Sequence, residues 1–195
     1  MAFTANTAFE ARLTNNENDI LTHVAGLYQA SGAAADCDAG RLVVASALAP
    51  CEGFTGINNE NTWVMVDATD AANIDVPVFA CDTYDTQLIG NGANNYFIGA
   101  RTLGLGVPAG RYGNFTQIKF DGMSHYRFGV GNFSTEVGEN TYATIDDGQL
   151  VPAASAPETA GAIYFEIIGT GNFVEGTSDS FGYVDVIAKR ITVAA

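Results

Sequence analysis

Apolar and polar residues alternate in two runs near the end of the chain, Gly161–Gly169 and Gly182–Val193. This period of two is typical of a pleated strand. The two faces of the first run are Ile163, Phe165, Ile167 and, opposite them, Tyr164, Glu166, Ile168. Those of the second run are Val184, Val186, Ala188 and, opposite them, Tyr183, Asp185, Ile187, Lys189. Because both faces carry apolar residues, we expect two central strands covered on both sides and joined by a polar loop over residues 170–180.

Shorter runs of β-branched, aromatic and small apolar residues precede these two. They are Arg41–Leu48, Thr62–Asp67, Val76–Cys81, Asn95–Thr102, Phe115–Phe120, Ser124–Val130 and Thr141–Ile145. Asp121–Gly122 and Asp147–Gly148 have the sequence of two-residue hairpin turns, and Pro77 favours an edge position or a strand start for its run. The pattern predicts an all-β fold, a sandwich or barrel of mostly antiparallel strands.

One segment has helical spacing instead. Ile20, Leu21, Val24, Leu27 and Tyr28 follow the Asx-rich stretch 15–19, which predicts a helix over residues 16–29 with caps and acids in its first turn. Residues 30–36 are small and favour a linker. We therefore expect an N-terminal arm with one helix over residues 1–35 and a β body over 36–195. The alternative is that the helix caps the open end of a barrel.

The segment Gln149–Glu158 is poor in charge and carries Pro152 and Pro157, which hold a chain extended. It is either an interface segment lying across a neighbouring molecule or a surface connection.

The charge of the chain excludes some classes of partner. Eight Lys and Arg against 22 Asp and Glu give a formal net charge of −14 over 195 residues. Such an excess repels phosphate, so we expect no nucleic-acid partner and no membrane partner. It is compatible with solubility, with cation binding or with docking on a basic surface.

The N-terminal residues have neither a basic leader nor a continuous apolar stretch, so we expect synthesis in a cytoplasm. Cys37, Cys51 and Cys81 are an odd number and lack zinc-type spacing. They are interpreted as buried free thiols.

No sequence pattern indicates catalysis. The two histidines, His23 and His125, accompany no G-x-S-x-G motif and are interpreted as structural or exposed. The glycine pairs near Gly90, Gly104, Gly129 and Gly169 have neither dinucleotide nor P-loop spacing, so turns and bulges explain them. We therefore predict a protein that is not an enzyme and has no cofactor and no catalytic or metal site.

Three alternatives remain open. Oxygen ligands from Asp67, Asp70, Asp75, Asp82 and Asp85 allow a calcium site, although an EF-hand loop is missing. Exposed aromatic side chains would suit a glycan-binding, adhesin-like module, and the candidates are Trp63, Tyr84, Tyr96 and Tyr112. A two-carboxylate hydrolase is the third, since such a pair meets only in the fold.

Several stretches resemble the decoration, or cement, proteins of tailed-bacteriophage heads. They are the polar N-terminal segment ending at Ala35, the segment Asp147–Pro157, the run Ala160–Ile168 with Glu175-Gly-Thr after it, and Tyr183–Ile187. The resemblance lies in the composition, which is acidic, rich in glycine and poor in lysine, and in the β-strand pattern over most of the chain. It implies a virion protein, made in the host cytoplasm, that binds the major capsid protein on the capsid exterior as a homotrimer at local three-fold positions.

A protein that holds neighbouring capsid subunits together in this way gains affinity when several weak contacts form at once. The candidate contact residues are Phe3, Phe9 and Leu13 on the arm and Leu150 and Val151 on the proline-bounded segment. A head fibre or tail part is the alternative within the same class.

Overall fold

A computed structural model of the chain describes residues 4, 6–12, 23–50, 58–70, 72, 74–82, 106–175 and 179–192. These residues contain twelve strands and a single 3₁₀ turn, Val130–Asn132, and no α-helix. The strands are β1 Phe9–Arg12, β2 His23–Ala30, β3 Ala33–Ala34, β4 Leu42–Pro50, β5 Asn58–Asp67, β6 Val78–Cys81, β7 Tyr112–Gln117, β8 His125–Gly129, β9 Tyr142–Asp146, β10 Gln149–Ala153, β11 Ile163–Glu175 and β12 Asp179–Arg190. The predicted all-β class is confirmed.

The middle of the chain closes a five-stranded barrel. Its strands follow the order β2-β5-β4-β6-β7, and β7 pairs back onto β2. All pairings are antiparallel except β2 with β5, and the two-residue β3 extends the end of β2. Closure leaves the barrel strands with partners on both sides, which removes the edges of an open sheet.

The remaining strands form a six-stranded antiparallel sheet of order β1-β8-β12-β11-β9-β10. Its two central strands are the two runs whose alternation is strongest, so their central position is confirmed. The expectation that both of their faces are covered is wrong, because Ile168 is 47% exposed and the face with Tyr164 and Lys189 is only half-buried. The expected loop over residues 170–180 is also shorter, since β11 continues to Glu175 and β12 begins at Asp179.

Two apolar cores explain the burial pattern. Leu42, Val78 and Ala80 pack with the inner side of the six-stranded sheet, whereas their chain neighbours Val43 and Phe79 lie inside the barrel. All four residues of β6 are therefore buried, because this part of the barrel wall has apolar residues on both of its faces. Pro77, just before β6, marks the start of a strand that lies between two neighbours rather than at an edge.

The helix predicted over residues 16–29 is wrong from residue 23 onward, where the chain forms β2. Val24 and Tyr28 pack in the barrel core, and a spacing of four residues places two side chains on one face of a strand as well as of a helix. Gly26, between them, faces Met65 and Phe115, where a Cβ would overlap both side chains. Residues 16–22 of the predicted helix lie outside the described residues. The described residues of the predicted arm include β1 of the six-stranded sheet and β2 and β3 of the barrel sheet, and the boundary at residue 35 stays a prediction.

The two predicted hairpin turns have different outcomes. Asp147 and Gly148 join β9 to β10 with φ of 47° and 73°, which confirms the hairpin. Asp121–Gly122 is not a hairpin, because β7 and β8 belong to different sheets. There the Asp121 carboxylate accepts hydrogen bonds from Met123 N, Ser124 N and Ser124 Oγ, and it orders a crossover between the barrel and the sheet.

The segment Gln149–Glu158 begins as a strand, not as a loop. Residues 149–153 form β10 at the edge of the sheet, and Pro152 is tolerated there because an edge strand does not need every N–H. Every other predicted strand within the described residues is observed with shifted ends, whereas Asn95–Thr102 lies outside them.

Candidate binding site

The β11–β12 hairpin is longer than the strands beside it. Strand β9 pairs with β11 only as far as Glu166, and Ile167 N donates the last bond on that side to Thr141 O. Strand β8 pairs with β12 only as far as Tyr183. Beyond these points the two strands pair only with each other among the described residues. We call this part, residues 168–175 and 179–182, the ribbon.

A bulge opens the ribbon at its base. The register of β11 against β12 shifts between Ile167 and Gly169, so Ile168 has no direct partner across the hairpin. A bulge bends the strand that carries it and increases the local twist. Ile168, Thr170 and Asn172 are exposed along the β11 side of the ribbon.

A cleft of about 760 Å³ lies between the ribbon and the segment that connects β8 to β9. Its lining residues are Val130, Phe133, Thr135, Glu136, Val137, Gly138, Thr170, Gly171, Asn172, Gly182, Tyr183 and Val184. Most of them are apolar, small or neutral polar, and Glu136 is the one charged side chain among the described residues of the lining. Val130, one of these lining residues, is 41% exposed. The volume lies in the range of sites that hold small molecules or peptide side chains.

A rigid ion pair supports the base of the ribbon. Arg127 Nε and Nη2 donate to the two carboxylate oxygens of Asp185 at 2.7 and 2.8 Å, and its guanidinium lies 3.5 Å from the centre of the Tyr183 ring. Arg127 is only 7% exposed. The hydrogen bonds to Asp185 raise the pKa of Arg127, so it stays charged. Tyr183 in turn crosses Gly171, where a Cβ would overlap its phenol.

A second network joins the barrel to the β9–β10 turn. Arg41 donates to both carboxylate oxygens of Asp67, at 2.5 and 2.7 Å, and also to Asp147 O. Tyr28 Oη donates to the same carboxylate at 2.8 Å. Burial and then this hydrogen bond raise the pKa of Tyr28, which keeps the phenol protonated. These groups hold each other, so the network is structural and supplies no base.

A third network, of His23, Thr116 and Asp82, resembles a catalytic triad in composition only. The Thr116 hydroxyl donates to Asp82 Oδ1 at 2.6 Å, so the contact of 2.9 Å to His23 Nδ1 has the imidazole as donor. A nucleophile would instead donate to the imidazole. Thr116 is also 1% exposed, which keeps its hydroxyl from a substrate. Burial raises the pKa of Asp82, and the bonds from Thr116 and His23 offset only part of that effect.

The cysteine prediction is confirmed where it is described. Cys37 and Cys81 are buried free thiols in the barrel core, and burial raises the pKa of Cys37. Cys51 lies outside the described residues.

Of the predicted contact residues, the three that the structure describes lie on strands at opposite edges of the six-stranded sheet, Phe9 on β1 and Leu150 with Val151 on β10. Phe9 is half-buried on β1, with its ring centre 5.3 Å from that of Phe128, and Leu150 is fully buried in the core. Leu150 therefore offers no side-chain surface on this chain, whereas Val151 is half-buried. Phe3 and Leu13 lie outside the described residues. Whether any of the five contacts a partner stays a prediction.

The candidates for the alternative sites are only partly described, and Asp85 lies outside the described residues. Trp63 and Tyr112 are 37% and 42% exposed on β5 and β7, on either side of β2, while Tyr84 and Tyr96 lie outside the described residues. Asp67 and Asp82 belong to the separate networks above. Within the described ranges no three His, Cys, Asp or Glu side chains meet as a metal site would require.

The ribbon and its cleft escaped sequence reasoning because residues 170–180 are polar and resemble a loop. A signal for the ribbon, although not for the cleft, is the continuation of alternation past Gly169, through Phe173 before residues 176–178 and Phe181 after them. Comparison of the chain with protein-family models, with curated proteins and with solved structures found no match. The described residues include no helix with the length and apolar character needed to cross a bilayer.

Proposed function

We propose that this chain is a non-enzymatic virion structural protein that binds the outer surface of a phage capsid and stabilises its lattice as a decoration protein. The observation that carries the proposal is the ribbon, a strand edge that continues past the sheet and lies beside an open cleft. An edge of this kind presents backbone N–H and C=O groups that another chain can pair with.

The networks described above favour binding over catalysis. Each of the three holds its polar groups against one another rather than toward the cleft, and among the residues that the structure describes the cleft is lined by one carboxylate, Glu136. General acid–base chemistry of the glycosidase type needs two. A net charge of −14 favours a basic partner surface over nucleic acid.

Capsid stabilisation also needs several contacts acting together. In a homotrimer three copies of the ribbon would engage neighbouring capsomers at once, so that a weak contact at each gives a long-lived complex. The partner is then the major capsid protein, and the protein lies on the capsid exterior.

The test is co-sedimentation of the purified chain with expanded, empty capsids of the phage whose genome encodes it. We expect the chain to pellet at a fixed ratio to the capsid subunits, and decorated capsids to resist heat at temperatures that break bare ones. Unexpanded procapsids are the control, because their lattice spacing differs. A chain that stays in the supernatant with expanded capsids contradicts the proposal.

A second candidate function has one observation in its favour. The cleft combines the aromatic Tyr183 with Asn172 and Glu136, a mixture of ring and polar groups that suits a sugar. This would make the chain a glycan-binding, adhesin-like module. Retention on a glycan array, lost in Asn172→Ala, would favour this function, and the absence of any retained glycan would exclude it. A head fibre or tail part would be recognised by binding to tails and not to capsids.

A further inference from the structure

We propose that the β11 edge of the ribbon, at residues 168–172, binds an extended strand that carries lysine or arginine, contributed by the partner protein. The inference rests on the proposed function for the identity of that partner. It adds the mode of binding, which is addition of one strand to the six-stranded sheet.

The backbone of β11 beyond Glu166 offers hydrogen-bonding groups to an added strand. Strand β11 has β9 on one side only up to Glu166, and from Ile168 onward no described residue pairs with that side. An added strand that continues the line of β9 would meet alternate N–H and C=O groups already held extended by β12. Because β12 fixes these groups, the ordering cost falls mainly on the incoming strand.

The side chains of β11 lead from this edge into the cleft. Ile168 is 47% exposed, and Thr170 and Asn172 continue along the same strand into the lining of the cleft. An added strand presents alternate side chains to one side of the sheet. One set would therefore reach the cleft, where the exposed Val130 offers apolar surface to the stems of long side chains.

The negative charge of the cleft and of the whole chain favours a basic strand as the binding partner. Glu136 is the one charged residue in the described part of the cleft lining. Glu139 lies in the same segment and is exposed, and the whole chain carries a formal net charge of −14. A second copy of this chain would bring like charge to this edge, which is unfavourable. A strand that alternates apolar and basic residues complements both the cleft and the field around it.

The first probe is a synthetic peptide that alternates lysine and valine, titrated into the full chain. We expect saturable binding that slows hydrogen exchange of backbone amides within residues 168–172. The same peptide N-methylated at alternate residues should bind at least about tenfold more weakly, because it lacks the donors of a strand. A peptide that alternates glutamate and valine should not bind. Equal binding of the methylated peptide overturns the inference.

Paired variants locate the site. Glu136→Gln should weaken the lysine–valine peptide about two- to fivefold, and Glu139→Gln should not, since only Glu136 lines the cleft. Ile168→Lys should abolish binding by placing a cation on the edge. Met123→Lys adds the same charge at a site that is 62% exposed, on the connection between the barrel and the sheet, and should leave binding unchanged.

Capsid binding by the same variants separates the two proposals. If the unmodified chain and Ile168→Lys both bind capsids, the inference is wrong and the proposed function stands. If the unmodified chain binds the peptide and ignores capsids, the inference stands and the proposed function is wrong. Self-association that Ile168→Lys abolishes would assign the edge to a second copy and overturn the inference.

Discussion

Arg127 shows what a single residue contributes to this sheet. Its guanidinium is almost fully buried, bidentate to Asp185 and stacked on Tyr183, so three strand positions depend on one planar cation. The pair Glu166–Lys189 on the same sheet is about one-third exposed. Buried and exposed ion pairs differ in their effect on stability, because only the buried partner is left without water when the other is removed.

Arg127→Lys should therefore lower the free energy of unfolding by about 2–4 kcal/mol, because lysine cannot bind both Asp185 oxygens or stack on Tyr183. Urea denaturation measures the change. Lys189→Gln is the control, with an expected loss of at most about 1 kcal/mol. Equal losses in the two variants would contradict the structural role given to Arg127.

Asp82 and Asp121 should respond to pH with opposite signs. Burial raises the pKa of Asp82 above 3.8, so its contribution to stability is lost as pH rises through the acidic range above 3.8. Partial burial also raises the pKa of Asp121, but the hydrogen bonds from Met123 and Ser124 have the larger effect, so the pKa of Asp121 is lowered. Its contribution is therefore present at neutral pH and lost on acidification.

The test compares Asp82→Asn and Asp121→Asn with the unmodified chain by urea denaturation from below pH 3.8 to neutral pH. The free energy of unfolding of Asp82→Asn, minus that of the unmodified chain, should rise with pH. The same difference for Asp121→Asn should fall. Differences that do not change with pH would contradict both assignments.

At the scale of elements, the Asp147–Gly148 turn fixes the position of the β9–β10 hairpin. Gly148 N donates to Ala68 O, and Gly148 O accepts from Leu42 N, so the turn is hydrogen-bonded to the barrel. Gly148 has φ of +73°, and a Cβ there would lie 2.6 Å from an Asp67 oxygen. Gly110 has the same φ with nothing within 4 Å of a Cβ.

Gly148→Ala should lower the free energy of unfolding by about 2–4 kcal/mol, which combines the cost of a positive φ with that of the overlap. Gly110→Ala should lower the free energy of unfolding by about 1 kcal/mol, because only the cost of the positive φ applies there. Thermal denaturation of the two variants measures the difference. If both variants lose the same amount, the docking of this turn does not contribute to stability.

The elements also show which features a sequence predicts. The strands β11 and β12 and the hairpin at Asp147–Gly148 follow from local alternation and turn chemistry, and both are observed. β2 does not, because Val24 and Tyr28 satisfy a helical spacing and only the barrel closure with β5 and β7 decides between the two. The cleft could not be predicted, since it joins residues 130–138 to strands far along the chain.

At the scale of the whole molecule, 14 excess negative charges repel one another in the folded state. We expect the melting temperature to rise by a few degrees, about 3–6 °C, between low ionic strength and 0.2 M NaCl, because salt screens this repulsion. Calorimetry measures it. CaCl₂ at matched ionic strength is the control, and a much larger rise with calcium would instead indicate a specific cation site.

The order of strands along the chain has a consequence for synthesis. The barrel strands follow one another along the chain between residues 23 and 117. The partner of β1 is β8, as in the pair Phe9 and Phe128, and β8 is translated after all the barrel strands. On the ribosome the barrel sequence emerges complete while β1 is still unpaired. Until β8 leaves the exit tunnel, the Phe9 side chain of β1 lacks the Phe128 ring on which it packs in the folded sheet, and a chaperone can shield it.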